Sequence, residues 1–147
     1  MIGAAAAEAL GWSGRSEDLD IVPETSKANL ERLANALNDL DAKLIGDPTY
    51  PDGVPVPGGF DARLLGTKQV WNLTTPHGQL DVTSLPSGTR GYDDLIVRAM
   101  HRAIPGTTTP VSVASAQDII ASKTAAGRAK DIAVLPALRQ ELKPWLE

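Results

Sequence analysis

Apolar residues recur along the chain with two periods, one typical of helices and one typical of strands. Residues 24–40 carry apolar side chains at spacings of three and four, namely Leu30, Leu33, Ala34, Leu37 and Leu40. This pattern predicts a helix with one apolar face, and Thr25 or Ser26 is placed to cap its start. The Ala-rich residues 1–10 predict another helix, which ends at Gly11.

Alternation between apolar and polar residues predicts the strands. Residues 18–22 alternate and then reach Pro23, which predicts a short strand that ends there. Residues 42–46 are a second short candidate. Residues 68–88 predict a hairpin whose turn lies at 76–78, because Pro, His and Gly interrupt two apolar runs at that point.

A long loop and a largely helical C-terminal part complete the pattern. Residues 46–59 carry four Pro and four Gly, which excludes a helix or a central strand there. Further along we expect a short helix at 91–100, two short strands around Pro105 in 101–113, and helices at 115–127 and 129–143. Ser115 and Asp118 have the spacing of a capping box at the start of the first of these two long helices.

Interleaved helices and strands, together with a hairpin, predict an α/β (α+β) fold with a mixed β-sheet flanked by helices. The 147 residues suit one domain. Within it, residues 1–114 would form the sheet-containing core and residues 115–147 a C-terminal helix pair. The three Trp, two Tyr and one Phe are few, so the core must consist mainly of aliphatic side chains. The tryptophans are expected as core or interface anchors.

Composition removes several classes of protein. The absence of Cys excludes disulfides, thiolate zinc sites and cysteine nucleophiles. No run of about 18 apolar residues is present, and residues typical of a secretory signal are missing, which predicts a cytoplasmic protein without a membrane partner. The net charge of -4 is uneven. Residues 1–97 carry 7 basic and 14 acidic side chains, whereas residues 98–147 carry 7 and 4, so cations and anions are expected to bind in different parts.

Asp18 and Asp20 form an Asp-x-Asp pair at the start of the first predicted strand. Side chains two residues apart in a strand lie on the same face, about 7 Å apart along the backbone. Two carboxylates held together raise each other's pKa, and a bound cation removes this penalty. Ligands that are all oxygen suit Mg²⁺ or Mn²⁺. The alternative is that the pair marks a solvated strand end.

Asp81 extends this hypothesis. It lies just after the hairpin turn, between Leu80 and Val82, which should face the core. If its strand lies beside the Asp18 strand, the three carboxylates can hold two divalent ions about 3.5–4 Å apart, a geometry that supports phosphoryl or nucleotidyl transfer. Taken alone, Asp81 is better explained as an ordinary surface aspartate at a hairpin.

Two segments carry a family resemblance. Residues 2–24, IGAAAAEALGWSGRSEDLDIVPE, resemble the opening of the nucleotidyltransferase fold of the DNA polymerase β superfamily, in which a strand, a Gly-containing turn, a helix and Asp-x-Asp follow one another. Residues 111–138 are similar to the C-terminal segment of the AbiEii-type toxins and related uncharacterised bacterial nucleotidyltransferases. The resemblance covers nearly the whole chain, with its motifs in the same order.

The resemblance implies a role for each matching residue. Asp18, Asp20 and Asp81 would bind the metal ions and perform the catalysis. Gly3 and Ala4 would form the turn that holds nucleotide phosphates, and Lys123 would contact the triphosphate. Arg15 would contact phosphate or pair with Glu17 or Asp18. Arg128, Lys130 and Asp131 match a later motif, and a structural ion pair between the last two helices is an equal alternative for Asp131.

Two features depart from the family pattern. Ala4 stands where the family turn has Gly or Ser. Only Met1 and Ile2 remain of the strand that precedes this turn in the family, which predicts a truncated first strand. An exposed sheet edge at this point would favour self-association or a partner chain.

The resemblance implies a metal-dependent nucleotidyltransferase that moves a nucleoside monophosphate from a nucleoside triphosphate to an acceptor hydroxyl on tRNA, other RNA or protein. A toxin–antitoxin pair is the implied context, with an antitoxin as partner. Dispersed basic residues of the C-terminal part could contact RNA. A degenerate nucleotidyltransferase-fold binding module is the alternative, and a scaffolding homodimer is a third.

Overall fold

The computed structural model describes residues 1–104 and 106–147; Pro105, within the predicted strand pair, lies outside the described residues. The helices are α1 (Gly3–Ala9), α2 (Lys27–Asp39), α3 (Ala62–Leu65), α4 (Tyr92–Leu95), α5 (Ala116–Ala126) and α6 (Ala129–Glu141), followed by a 3-10 turn at Lys143–Trp145. The strands are β1 (Asp18–Ile21), β2 (Lys43–Leu44), β3 (Val70–Thr75), β4 (Gly78–Thr83), β5 (Met100–Ala103) and β6 (Pro110–Val113).

Four strands form a mixed sheet in the order β1-β4-β3-β2. β1 runs parallel to β4, while the β4–β3 and β3–β2 pairs are antiparallel. The register places Asp20 directly opposite Asp81. β5 and β6 form a separate antiparallel pair. The predicted mixed α/β architecture with helices around a sheet is confirmed, as is the hairpin of residues 68–88.

Two apolar clusters hold these elements together. One lies under α2 and α3 and receives buried side chains from the sheet, namely Trp71, Leu73, Leu80 and Val82. The other joins α1, α5 and α6 to β6, with Ile119, Leu138 and Leu142 among its fully buried members. The four-stranded sheet therefore has one face covered by α2 and α3, and its other face is left for polar side chains.

The capping signals were correct, whereas one end of an apolar stripe was not. Ser26 accepts a hydrogen bond from the backbone N–H of Asn29, and Ser115 accepts one from Asp118. Leu40, expected to continue the α2 stripe, is 37% exposed because the helix ends before it. α3 follows the long loop and was not predicted, since four residues are too few to display a helical period.

The first two residues connect the two sheets. The backbone N–H of Ile2 donates to Asp20 O at 3.0 Å, and Met1 O accepts from the N–H of Ala114 at 2.9 Å. Ile2 and Asp20 form an isolated antiparallel bridge. The expected strand before α1 is thus represented by residues that lie between the edges of β1 and β6, and α1 starts immediately beside Asp20.

Candidate metal and nucleotide site

Three carboxylates converge on the polar face of the sheet. Asp18 and Asp20 extend from the same side of β1, and Asp81 lies opposite Asp20 on β4. One oxygen atom from each of the three lies within 4.8 Å of the other two. All three side chains are half-buried. The parallel pairing of β1 with β4 therefore brings the three carboxylates together, which the Asp-x-Asp spacing alone could not predict.

The electrostatic environment of these carboxylates favours a bound cation. Burial, followed by the charges of Asp18 and Asp81, raises the pKa of Asp20 from 3.8 to about 6. Burial also raises the pKa of Asp81, against a hydrogen bond from Gln79 that lowers it. Lys123 and Arg128 act on Asp20 in the opposite direction. A divalent cation among these oxygens would offset the repulsion that contributes to the raised pKa values of Asp20 and Asp81.

Gly3 is fixed by its contact with this cluster. Its φ angle is +76°, a conformation that favours glycine. A Cβ atom at this position would lie only 2.2 Å from Oδ2 of Asp20. Any side chain here would therefore displace the carboxylate. The glycine of the predicted phosphate turn is required at least for the position of Asp20, while the neighbouring Ala4 offers no polar side chain.

A basic cluster from α5 and α6 faces the carboxylates. Asp131 is 1% exposed and binds two cations. Its Oδ2 atom lies 2.5 Å from Nε of Arg128, and its Oδ1 atom lies 3.4 Å from Nζ of Lys123. Arg128, followed by Lys123, lowers the pKa of Asp131. Asp131 thus forms the ion pair expected between the last two helices, and this pair also holds Lys123 and Arg128 beside the metal-binding candidates.

The carboxylates and the basic cluster line a cleft with two lobes. The smaller lobe has a volume of about 360 Å³ and the larger about 550 Å³. The residues common to both lobes are Asp20, Asn72, Asp81, Lys123, Arg128 and Asp131. These volumes are in the range of sites for small molecules and cofactors. Charged groups of both signs therefore lie where the lobes meet, which is suited to the binding of a metal–phosphate complex.

The larger lobe contains the remaining predicted site residues. Ala4, Arg15 and Lys130 line it, and Gly3 lines the smaller lobe. Arg15 and Lys130 are exposed and form no salt bridge with any of the described residues. The alternative in which Arg15 pairs with Glu17 or Asp18 is thus not what the structure contains. Both side chains can therefore contact a ligand in the larger lobe, which Asp18 also lines.

Two residues of the site were not predicted. Asn72 lies opposite Asp81 on β3 and lines both lobes. The sequence indicated the orientation of Asn72, because it lies between Trp71 and Leu73. These two side chains are buried on one face of the sheet, so Asn72 must lie on the other. The hydroxyl of Ser16 donates to the backbone oxygen of Asp18 at 2.5 Å. Loop geometry determines this contact, which no periodicity in the sequence indicates.

Two of the basic residues outside the cleft, Arg98 and Arg102, form contacts within the protein. Arg98 binds Asp118 at 2.6 Å, and the guanidinium of Arg102 lies 4.2 Å from the ring centre of Trp145. These contacts reduce the charge that the predicted basic face offers to RNA. The cations that line the cleft beside the carboxylates are Arg15, Lys123, Arg128 and Lys130.

Comparisons with known protein families, with curated proteins and with solved structures find no match for this chain. Among the described residues, every helix is too short or too polar to cross a bilayer. Functional assignment therefore depends on the chemistry of the cleft.

Proposed function

We propose that this protein is a metal-dependent nucleotidyltransferase with a nucleotidyltransferase-like fold. It would transfer a nucleoside monophosphate from a nucleoside triphosphate to an acceptor hydroxyl. The observation that carries the proposal is the convergence of three carboxylate oxygens within 4.8 Å, from residues on neighbouring parallel strands. Lys123 and Arg128 line the same cleft and supply the positive charge that a triphosphate requires.

The donor set fits Mg²⁺ or Mn²⁺. It contains only carboxylate oxygens, which these hard cations prefer. The pKa of Asp20 is raised first by burial and then by the negative charges of Asp18 and Asp81, which a cation would offset. Bound at Asp18, Asp20 and Asp81, such ions would supply charge neutralisation of the triphosphate and acidification of the acceptor hydroxyl. Carboxylates on rigid strands hold their geometry better than carboxylates on loops, so the site is well suited to this role.

The remaining steps are assigned to side chains of the cleft. The acceptor oxygen attacks the α-phosphorus atom and forms a new P–O bond, while the bond to the pyrophosphate oxygen breaks. Asp81 lines both lobes of the cleft and would accept the hydroxyl proton. Lys123 and Arg128 stabilise the negative charge that develops on pyrophosphate. Asp131 is a positioning residue, since it holds both cations at hydrogen-bond distance.

The resemblance extends the proposal to a biological setting. The acceptor would be tRNA, other RNA or a protein hydroxyl, and the enzyme would be the toxin of a toxin–antitoxin pair with an antitoxin as partner. The exposed cations Arg15 and Lys130 line the larger lobe and add positive charge for phosphate groups.

A transfer assay tests this proposal. The protein is incubated with each α-³²P-labelled nucleoside triphosphate, Mg²⁺, and either bulk tRNA or cell protein. We expect label to appear in one acceptor pool, and we expect Asp18→Ala and Asp81→Ala to reduce transfer by roughly 100-fold or more, because each removes a metal ligand. Asp52→Asn, in an exposed loop, serves as a control that keeps full activity. Absence of labelling by the wild type, or equal labelling by the wild type and the Ala variants, would contradict the proposed catalytic activity.

A non-catalytic binding module is the second candidate, and Ala4 favours it. The family turn often supplies a hydroxyl at this position, whereas the methyl group of Ala4 in the larger lobe cannot bind phosphate. Calorimetry combined with the transfer assay separates the two candidates. A module binds Mg²⁺ and nucleotide together without transferring label, whereas an enzyme does both.

A further inference from the structure

The three tryptophans differ in what their rings contact. Trp71 is 5% exposed, meets Phe60 edge to face at 6.2 Å, and donates its indole N–H to Leu65 O at 3.2 Å. Trp145 carries the guanidinium of Arg102 over its ring and donates its N–H to Leu10 O at 2.7 Å. Both rings therefore have a stacking or edge partner and a hydrogen-bonded indole nitrogen.

Trp12 has neither of these among residues 1–104 and 106–147. No aromatic ring or cation of the described residues is paired with it, and its indole N–H has no hydrogen-bond acceptor there. The side chain is half-buried. One part packs against the cluster of α1, α5 and α6, and another part lines the larger lobe of the cleft. Trp12 is therefore a core anchor, as expected, only through the part of its ring that packs against this cluster.

The loop that carries Trp12 is held at both ends. The backbone N–H of Trp12 donates to Ala7 O at 3.0 Å. Ser13 donates to Glu141 of α6 through its backbone N–H at 2.6 Å and its hydroxyl at 3.1 Å. Gly14 lies against the benzene half of the ring, where an added Cβ atom would stand 2.2 Å from the nearest ring carbon. Trp12 is therefore held in place before any ligand binds, which reduces the entropic cost of binding.

The larger lobe also contains what the rest of a nucleotide needs. Asp18, Asp20 and Asp81 lie in this lobe, as do the exposed cations Arg15 and Lys130. An aromatic ring beside cations is the combination with which proteins hold a base and its phosphates, since every base has a π-face that stacks on an aromatic side chain. The smaller lobe has no tryptophan among its lining residues.

We propose that the larger lobe is the nucleotide subsite and that Trp12 is the platform on which the base of the nucleoside triphosphate stacks, with Arg15 and Lys130 toward its phosphates. This inference rests on the nucleotidyltransferase proposal above and deepens it. It predicts tolerance for different bases, because stacking does not distinguish their hydrogen-bonding edges.

Calorimetry with two probes tests the platform. One probe is the α,β-methylene analogue of adenosine triphosphate, which cannot undergo transfer, and the other is tripolyphosphate, which has no base. Both are titrated with Mg²⁺ present. We expect Trp12→Leu to weaken binding of the analogue about tenfold and to leave tripolyphosphate binding unchanged. Trp12→Phe, which retains a stacking surface, should bind the analogue nearly as well as the wild type.

Fluorescence supplies a second measurement that does not depend on the Leu variant folding. In a Trp145→Phe background, the analogue should quench tryptophan emission, and the further change Trp12→Phe should abolish this quenching. Equal affinity of the analogue for the wild type and Trp12→Leu overturns the platform, as does an equal loss for both probes. If label transfer persists in that case, the nucleotidyltransferase proposal stands. If the wild type binds neither probe, both proposals fall together.

Discussion

The two faces of the four-stranded sheet are made by the same strands but serve opposite purposes. On β4, Leu80 and Val82 point into the cluster beneath α2 and α3, while Asp81 between them points into the cleft. On β3, Trp71 and Leu73 face the cluster and Asn72 faces the cleft. Because side chains alternate along a strand, one face can supply stability while the other carries groups that stability alone would not select.

The polar face of the sheet holds carboxylates whose ionised forms are disfavoured, as the raised pKa values of Asp20 and Asp81 indicate. Asp20 has a pKa of about 6 because burial and two neighbouring charges disfavour its ionised form. By contrast, the buried Asp131 has a lowered pKa because Arg128 and Lys123 bind it. The difference indicates that Asp131 is satisfied within the protein, whereas the three cleft carboxylates lack a cationic partner of equal strength. Such an environment favours a bound cation.

The largest expected change in stability comes from a substitution on the apolar face of the sheet. Leu73 is fully buried, so Leu73→Ala should lower the free energy of unfolding by about 3 kcal/mol through lost packing and a residual cavity. Its neighbour Asn72, on the cleft face, should change stability by less than about 0.5 kcal/mol when replaced by Ala. Urea denaturation of both variants measures the contrast. Similar losses for the two variants would contradict the division of labour between the faces.

That contrast also indicates what the sequence could predict. Local patterns located α2, the β3–β4 hairpin and the capped start of α5, because period, turn residues and caps act over a few neighbouring residues. The pairing of β1 with β4 is not local: Asp20 and Asp81 are opposite each other only through the parallel register. The Asp-x-Asp motif therefore predicted a shared face but not the position of the third carboxylate. The position of Trp12 at the larger lobe likewise depends on tertiary packing, which no local pattern in the sequence indicates.

A smaller, opposite effect is expected on the polar face. Asp20→Asn should raise the free energy of unfolding at pH 8 by on the order of 1 kcal/mol, since it removes a charge that is repelled in the folded state. The half-buried position reduces the effect below what the full pKa shift implies. The same variant should bind Mg²⁺ poorly, so stability and metal binding change in opposite directions.

The pH dependence of this gain follows from the raised pKa. Asp20 titrates near 3.8 in the unfolded chain and near 6 in the folded protein, so the folded state binds more protons between these values. Its contribution to stability therefore falls as pH rises from about 4 to about 6. Thermal denaturation of wild type and Asp20→Asn from pH 4 to pH 8 should show the two curves diverging across that window. Parallel curves would contradict the assigned environment of Asp20.

Mn²⁺ binding, measured with electron paramagnetic resonance, shows whether the three carboxylates form one divalent-cation site. The wild type and Asp52→Asn should bind Mn²⁺ equally at pH 7.5. Asp81→Asn should bind it at least about tenfold more weakly, because it removes one ligand while leaving the sheet intact. Wild-type protein that leaves all Mn²⁺ free, or Asp81→Asn with unchanged affinity, would contradict the account.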